Sequence, residues 1–450
     1  MTVVVFLSTA VFALFSKNMI TALALALFVC FTVALFAYEE FGLYLLLALR
    51  PMMDIFGDRT ILIGSTSFNI AAATGVLAIG WCAFVLMQKR SWLSNKPVFW
   101  SFVALLGISA ASLLWTQSLT SSVYELIRLV SIIGIYLVAC AVITTREQFT
   151  RFIHTLILSL VIPVVFGLYQ IATHTGFSFF DLSNRVYGTF GHPNVFGFYL
   201  VLMISIMGSF AIAKGKNRTS GIAAVGFLLL AAMLALTYTR GAWLGMLVAL
   251  LVVGFARVPK RVLVVLILGS IISLSAPILN RWALTTLGVD VGKVPVISRL
   301  MQSNNEANSI DWRFGVWHEM TAKFRERPLL GYGLGSFTKV RELQVNDHYA
   351  STEAHNDYLR LAVETGIVGL GIYVLLLFLV ARALIRTYHA LAGSSYQLIV
   401  LGMLGFFAGF LAMSFFDNLL QGTPVMWAMW ASLAAVFNLP GWVHLDSKKP

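Results

Sequence analysis

Residues 70–87 and 223–236 carry almost no polar side chain on any face, and runs like them recur along the chain. A helix that is apolar all round has no surface to present to water, so it belongs in a large core or in lipid. A membrane span needs about 20 apolar residues, fewer where the helix tilts or kinks. Candidate runs cover 2–15, 19–37, 70–87, 97–115, 123–143, 152–172, 194–213, 221–236, 241–255, 261–279, 367–381, 398–420 and 424–437. Residues 41–49 are too short to cross alone and end at Arg50-Pro51, which makes them a short tilted span continued to Phe56 or a re-entrant piece. The first run lacks a small-residue cleavage site and is not read as a removed signal peptide. These runs predict an all-α integral membrane protein with about 12–14 transmembrane helices. Charged residues make up only 11% of the chain, against about a quarter in soluble domains, so a soluble enzyme with a greasy core is excluded.

The net charge of +12 does not imply nucleic acid here, because the cytoplasmic loops of membrane proteins collect Lys and Arg. Lys89, Arg90 and Lys96 share one connection, and Arg146 and Arg151 lie two connections on. Lys214, Lys216 and Arg218, then Arg257, Lys260 and Arg261, then Arg382 and Arg386, and finally Lys448 and Lys449 continue the series. Between these sets lie connections nearly free of positive charge, such as 116–122 and 421–424. The alternation predicts that the basic loops and the C-terminus are cytoplasmic, and that the long polar loop of 280–363 lies outside. Three parts follow: an N-terminal bundle at 1–279, an external loop subdomain at 280–364, and C-terminal helices with a short tail at 365–450. Cys30, Cys82 and Cys140 all fall inside apolar runs without metal-ligand spacing, so neither a disulfide nor a metal site is expected.

That orientation isolates a few polar residues on the outer side. Arg185 and Arg240 are the lone cations of connections that topology prefers to keep free of them. His355, Asn356 and Asp357 stand at the outer mouth of a predicted span, and Asp417 near the outer end of another. Histidine exchanges a proton near neutral pH, and arginine holds phosphate oxygens in a fixed fork while staying charged in a low dielectric. Either arginine alone could be an anchor at the lipid headgroups. Two arginines facing a histidine and a carboxylate suit a lipid-linked diphosphate. Asp417 needs a partner to remain charged in apolar surroundings, and an imidazole or one of the arginines is the natural candidate. Glu125 and Arg128, one helical turn apart, read as a local ion pair. Pro163 and Gly167 should bend the span at 152–172, and residues 311–325 have the apolar spacing of an amphipathic helix on the membrane or over the spans. The stretch 293–308, rich in Asn and Ser, reads as mobile.

His355 followed by ten residues and Gly366, together with Arg240-Gly-Ala-Trp-Leu244, resembles motifs of the O-antigen ligase and polymerase superfamily. Tyr187-Gly-Thr-Phe-Gly-His-Pro-Asn194 and Pro328-Leu-Leu-Gly-Tyr-Gly-Leu-Gly-Ser-Phe337 are similar to the same family, in the same order. The resemblance implies a GT-C-like enzyme of the bacterial inner membrane, working at the periplasmic or exterior face without a metal or other cofactor. It implies an undecaprenyl-diphosphate-linked glycan as donor, and a growing glycan or a lipid A core sugar as acceptor. It implies inversion at the sugar, His355 as base, and Arg185 and Arg240 as diphosphate ligands. The position of Asp417 at the outer end of its span leads us to expect it beside His355, setting the protonation of the ring. Asn356, His192 and Gly366 are expected in support. Two other readings stay open: a flippase or exporter of lipid-linked oligosaccharide, and a non-catalytic subunit of a polysaccharide assembly. Transport predicts polar residues through the whole bilayer, whereas these gather at one rim.

Overall fold

The computed structural model describes residues 32–33, 35–56, 60–63, 66–89, 95–179, 182–211, 218–257, 311–342 and 353–446. The predicted runs at 2–15 and 261–279, most of 19–37, and the Asn/Ser-rich stretch 293–308 lie outside the described residues. The chain is an all-α membrane protein. Its helices are α1 (Glu39–Leu49), α2 (Ile70–Gln88), α3 (Lys96–Ala111), α4 (Leu119–Val142), α5 (Arg146–Ser159), α6 (Val161–Thr173), α7 (Pro193–Ala211), α8 (Arg218–Leu236) and α9 (Arg240–Arg257). After the polar loop come α10 (Asp311–Glu326), α11 (Phe337–Glu342), α12 (Asp357–Ala390), α13 (Gln397–Ser414) and α14 (Thr423–Asp446). Two small antiparallel hairpins, β1–β2 (Thr60–Ile63 with Thr66–Asn69) and β3–β4 (Phe177–Phe179 with Leu182–Arg185), were not legible in the apolar pattern. Among the described residues seven helices, counting α5–α6 as one, are long and apolar enough to cross a membrane, and two shorter apolar ones accompany them.

The helix boundaries match the sequence reading at the bend expected near Pro163 and at the short element of 41–49, and correct it at 398–420. The run at 152–172 is broken at Leu160, between α5 and α6. Pro163 explains the position, since its ring clashes with the carbonyl four residues earlier and it has no N–H to donate. The run at 398–420 stops at Ser414, and a turn and a 3-10 helix at Leu419–Gln421 take its last residues. Residues 41–49 become α1, which continues as a 3-10 helix through Arg50–Phe56.

Successive helices run between two ends of the bundle. At one end Ser112, just past α3, accepts from the Leu334 N–H at 2.9 Å, and Gln117, ahead of α4, donates to Tyr332 at 3.2 Å. At the other end Lys89 pairs with Glu39 at 2.8 Å, Arg151 with Glu40 at 3.0 Å, and Arg257 donates to Gln397 at 2.7 Å. Positive charge from three connections therefore collects at the end away from the Leu334 segment. The middle is apolar: Trp430 of α14 stacks edge-on against Phe102 of α3 at 4.4 Å and Tyr136 of α4 at 5.7 Å. Helices α9 and α13 touch backbone to backbone, since a Cβ on Gly409 would lie 2.4 Å from the Gly245 carbonyl oxygen. Small residues permit that approach, and it brings the Arg240 end of α9 to the C-terminal end of α13.

Candidate active site

His355 precedes α12 and has a left-handed backbone, φ 43°, which a non-glycine residue adopts only when its surroundings hold it there. Asn356 caps the helix, its side chain accepting from the Leu359 N–H at 3.0 Å. Asp357, fully buried, reaches across to the turn after α13 and accepts from the N–H groups of Leu419 at 2.9 Å and Leu420 at 3.2 Å. That clamp fixes the turn carrying Asp417 against the start of α12. His355 Nδ1 then lies 2.9 Å from Asp417 Oδ1. A carboxylate can only accept, so Nδ1 donates to it, and in the neutral form of the ring Nε2 keeps its lone pair.

Asp417 is held from several sides. Its Oδ1 accepts from the Asn418 N–H at 2.9 Å and its Oδ2 from Asn194 Nδ2 at 2.5 Å. Burial pushes its carboxyl up, but His355, Arg313 and the Asn418 N–H outweigh burial and hold it well below the usual carboxylate range. Asn194, at the start of α7, turns its other amide atom to Arg185, whose Nη2 donates to Asn194 Oδ1 at 2.9 Å. Arg185 also donates to the Thr237 carbonyl at 2.9 Å and the Thr239 hydroxyl at 3.2 Å, both in the turn that leads into Arg240. One hydrogen-bonded chain thus joins Arg185, Asn194, Asp417 and His355.

Arg185 is 5% exposed. Burial, opposed by Asp417 and reinforced by Arg240 and Arg313, draws its guanidinium down to about 10, still cationic at neutral pH. His192, whose Nδ1 accepts from the Asn194 N–H at 3.1 Å, is pushed down to about 4 by burial and then by Arg185, so it is neutral here. Arg240 opens α9, and together with Arg185 and with Arg313 on α10 it forms a cationic group on the Asp417 side of the site. Among the described residues no three His, Cys, Asp or Glu side chains gather as metal ligands would.

The amphipathic helix α10 lies over the spans. Val316 and Met320 are buried, and Trp317 donates to the Ala354 carbonyl at 2.8 Å while packing on Phe415 at 5.6 Å. It therefore grips both segments of the His355–Asp417 pair. The strap after it, residues 328–335, docks where α12 is interrupted. Gly366 has φ 67°, and a Cβ there would lie 2.1 Å from the Leu329 carbonyl oxygen. Tyr332 N donates to Val363 O at 2.9 Å, Gly333 N to Glu364 O at 2.8 Å, and Ile367 N to Pro328 O at 2.8 Å. Gly366 is thus placed at the strap, away from the ring of His355, and Asn356 at the helix cap.

Residues 225–374 match the model of the O-antigen ligase family. The segment runs from within α8 to within α12 and holds Arg240, Arg313, His355 and Gly366, so the O-antigen ligase resemblance read from the sequence is borne out there. Arg185, Asn194 and Asp417 lie outside the matched residues. An uncharacterized protein of Haemophilus influenzae is 26% identical over 165 residues, which is 35% of this chain and 41% of that protein. A Rickettsia conorii protein named "putative polysaccharide ligase" is 32% identical over 74 residues, 15% of this chain and 18% of that one. The matched part of the chain spans less than half the length of either relative.

Sequence reasoning missed Arg313, Asn194 and the role of Asp357. Arg313 was one cation among several on an amphipathic helix, and Asn194 sat unremarked at the end of a quoted motif. Asp357 carried a signal, a carboxylate in the first turn of a predicted span, which needs donors when buried.

Proposed function

We propose that this protein is a membrane glycosyltransferase of the O-antigen ligase or polymerase type. It moves a glycan from a polyprenyl diphosphate to a hydroxyl of an acceptor sugar. The observation that carries the reading is the contact of His355 with Asp417, tied through Asn194 to the buried Arg185. In the proposed step the acceptor hydroxyl gives its proton to His355 Nε2 as its oxygen attacks the anomeric carbon. The bond from that carbon to the diphosphate oxygen breaks, and the electron pair leaves with the diphosphate. Attack opposite the leaving group inverts the sugar. Asp417 stabilises the imidazolium that forms, and Arg185, Arg240 and Arg313 stabilise the developing negative charge. Arginine charge takes the part a divalent ion plays in nucleotide-sugar enzymes.

The gathering of Lys89, Arg151 and Arg257 at the far end of the bundle supports a site on the outer face of the bacterial inner membrane, with a cytoplasmic C-terminus. The test uses purified protein with undecaprenyl-diphosphate-linked glycan and acceptor from the host. Transfer should proceed without ATP and in the presence of a chelator, and should vanish in His355→Gln. No transfer by the wild type, a strict need for a divalent ion, or normal turnover in His355→Gln would each reject the mechanism.

A further inference from the structure

A cavity of about 700 Å³ opens beside the pair, between α4, α12 and the turn that precedes α14. Its volume is in the range of small-molecule sites. Among its walls are Glu125 and Arg128 of α4, Arg360 and Glu364 of α12, Thr338 of α11 and Gln421. Its charges differ from those around Asp417. Each of its guanidiniums already has a carboxylate: Arg50 lies 2.7 Å from Asp54, Arg128 pairs with Glu125, and Arg360 lies 3.5 Å from the same Glu125. Glu353 and Glu364 add two more carboxyl groups to the lining. Three arginines thus face four acidic side chains, so the lining carries no surplus of positive charge to attract a diphosphate.

The cavity instead offers closely spaced donors and acceptors, the pattern that satisfies sugar hydroxyls, each of which can donate and accept. Glu364, 1% exposed, closes one wall, its Oε1 accepting from the Phe337 N–H at 3.4 Å.

We propose that this cavity binds the acceptor glycan through its neutral sugar hydroxyls, an assignment that rests on reading His355 as the base of glycosyl transfer. The wall toward the pair is Glu353, two residues before His355. Its Oε2 accepts from Asn418 Nδ2 at 2.8 Å, and the Asn418 N–H donates to Asp417 at 2.9 Å. Val195, next to Asn194, lines the same side. A glycan seated there ends beside the segments that carry His355 and Asp417, while the diphosphate lies across the pair among Arg185, Arg240 and Arg313.

The probe is a lipid-free oligosaccharide released by mild acid from the host's own surface polysaccharide, titrated into purified protein and followed by saturation-transfer NMR. Thr338→Trp and Gln421→Trp fill the cavity from two walls. Each should weaken oligosaccharide binding at least tenfold and leave the affinity for undecaprenyl diphosphate within twofold. His355→Ala should bind the oligosaccharide as the wild type does while losing transfer, so the binding result stands even if the transfer reading fails. The proposal is overturned if the wild type shows no saturable binding, if both Trp variants bind normally, or if both lose the two ligands together.

Discussion

His355 and Asp417 stand 62 residues apart in the chain, yet their side chains meet at 2.9 Å. They meet because Asp357 fastens the turn after α13 to the start of α12, and because Trp317 holds α10 over both segments. The carboxylate fixes the tautomer of the ring, and so decides which nitrogen is left to accept a proton. Asp417→Asn replaces a pure acceptor by a group that can also donate, and it leaves the imidazolium without its counter-charge. It should remove part of the roughly 100- to 10,000-fold that proton transfer contributes to rate. The check is the turnover of purified Asp417→Asn over a range of pH. Turnover and pH profile equal to the wild type would make the contact incidental.

Asp357 touches no reacting atom in this scheme and acts by position. Asp357→Ala leaves the Leu419 and Leu420 N–H groups buried without acceptors, at about 1–3 kcal/mol for each unpaired group. The expected result is a lower melting temperature together with a lower kcat, with the KM for donor nearly unchanged. Asp357→Asn keeps an acceptor oxygen and should recover most of both. A merely structural residue would lower the melting temperature and leave kcat per folded molecule intact.

The two arginines foreseen from the sequence should both respond to lysine. Arg185 spends Nε and Nη2 on Thr237, Asn194 and Thr239, so Arg185→Lys should lower stability as well as donor binding. Arg240→Lys should weaken donor binding, because a point charge cannot reproduce the planar fork. A donor KM raised about tenfold, which is about 1.4 kcal/mol, is expected. An unchanged KM would reduce Arg240 to a headgroup anchor.

The spans were legible because apolar runs are long and need no knowledge of partners. The rim was legible because Arg185, Arg240, His355 and Asp417 are polar where the pattern forbids polarity. The partnership of Asp417 with an imidazole and the Glu125–Arg128 pair were legible too, but the bonds that hold the site together were not. Nothing in Asn194 distinguishes an amide that bridges a carboxylate and a guanidinium from one that faces water. The hairpin ending at Arg185 was hidden because three- and four-residue strands carry too little alternation to register. Arg313 was hidden by its helix, where a cation on a polar face is the ordinary expectation. The stop of α13 at Ser414 was obscured by Phe415 and Phe416, which extend the apolar run although they belong to the turn.

His192 gives a prediction for stability against pH. Its folded value is pushed down to about 4, against about 6.5 for a free histidine. Between those values the unfolded chain binds the proton that the folded chain refuses, so stability falls as pH drops from about 6.5 and levels off near 4. His192→Asn removes this titration. The melting temperature of that variant in detergent should depend less steeply on pH in this window than that of the wild type. Equal slopes would mean that the ring is not held neutral.

Orientation can be tested with residues at the two ends of the bundle. Thr120, exposed at the start of α4, lies at the end that carries His355 and Asp417. Ser395, exposed between α12 and α13, lies at the end where Arg257 meets Gln397. Lysine and arginine gathered at the second end favour the cytoplasm, because translocating them across the membrane is disfavoured. In a background with Cys30, Cys82 and Cys140 replaced by serine, Thr120→Cys should react with an impermeant maleimide added to intact spheroplasts. Ser395→Cys should react only after lysis. In the proposed reaction the lipid-linked donor meets the site on the side where Thr120 is labelled, so this experiment also tests which leaflet would supply it. Labelling of Ser395→Cys alone from outside would invert the protein and move the transfer reaction to the cytoplasmic face. Nucleotide-linked sugars are available there, and the arginine cluster would then need a different donor.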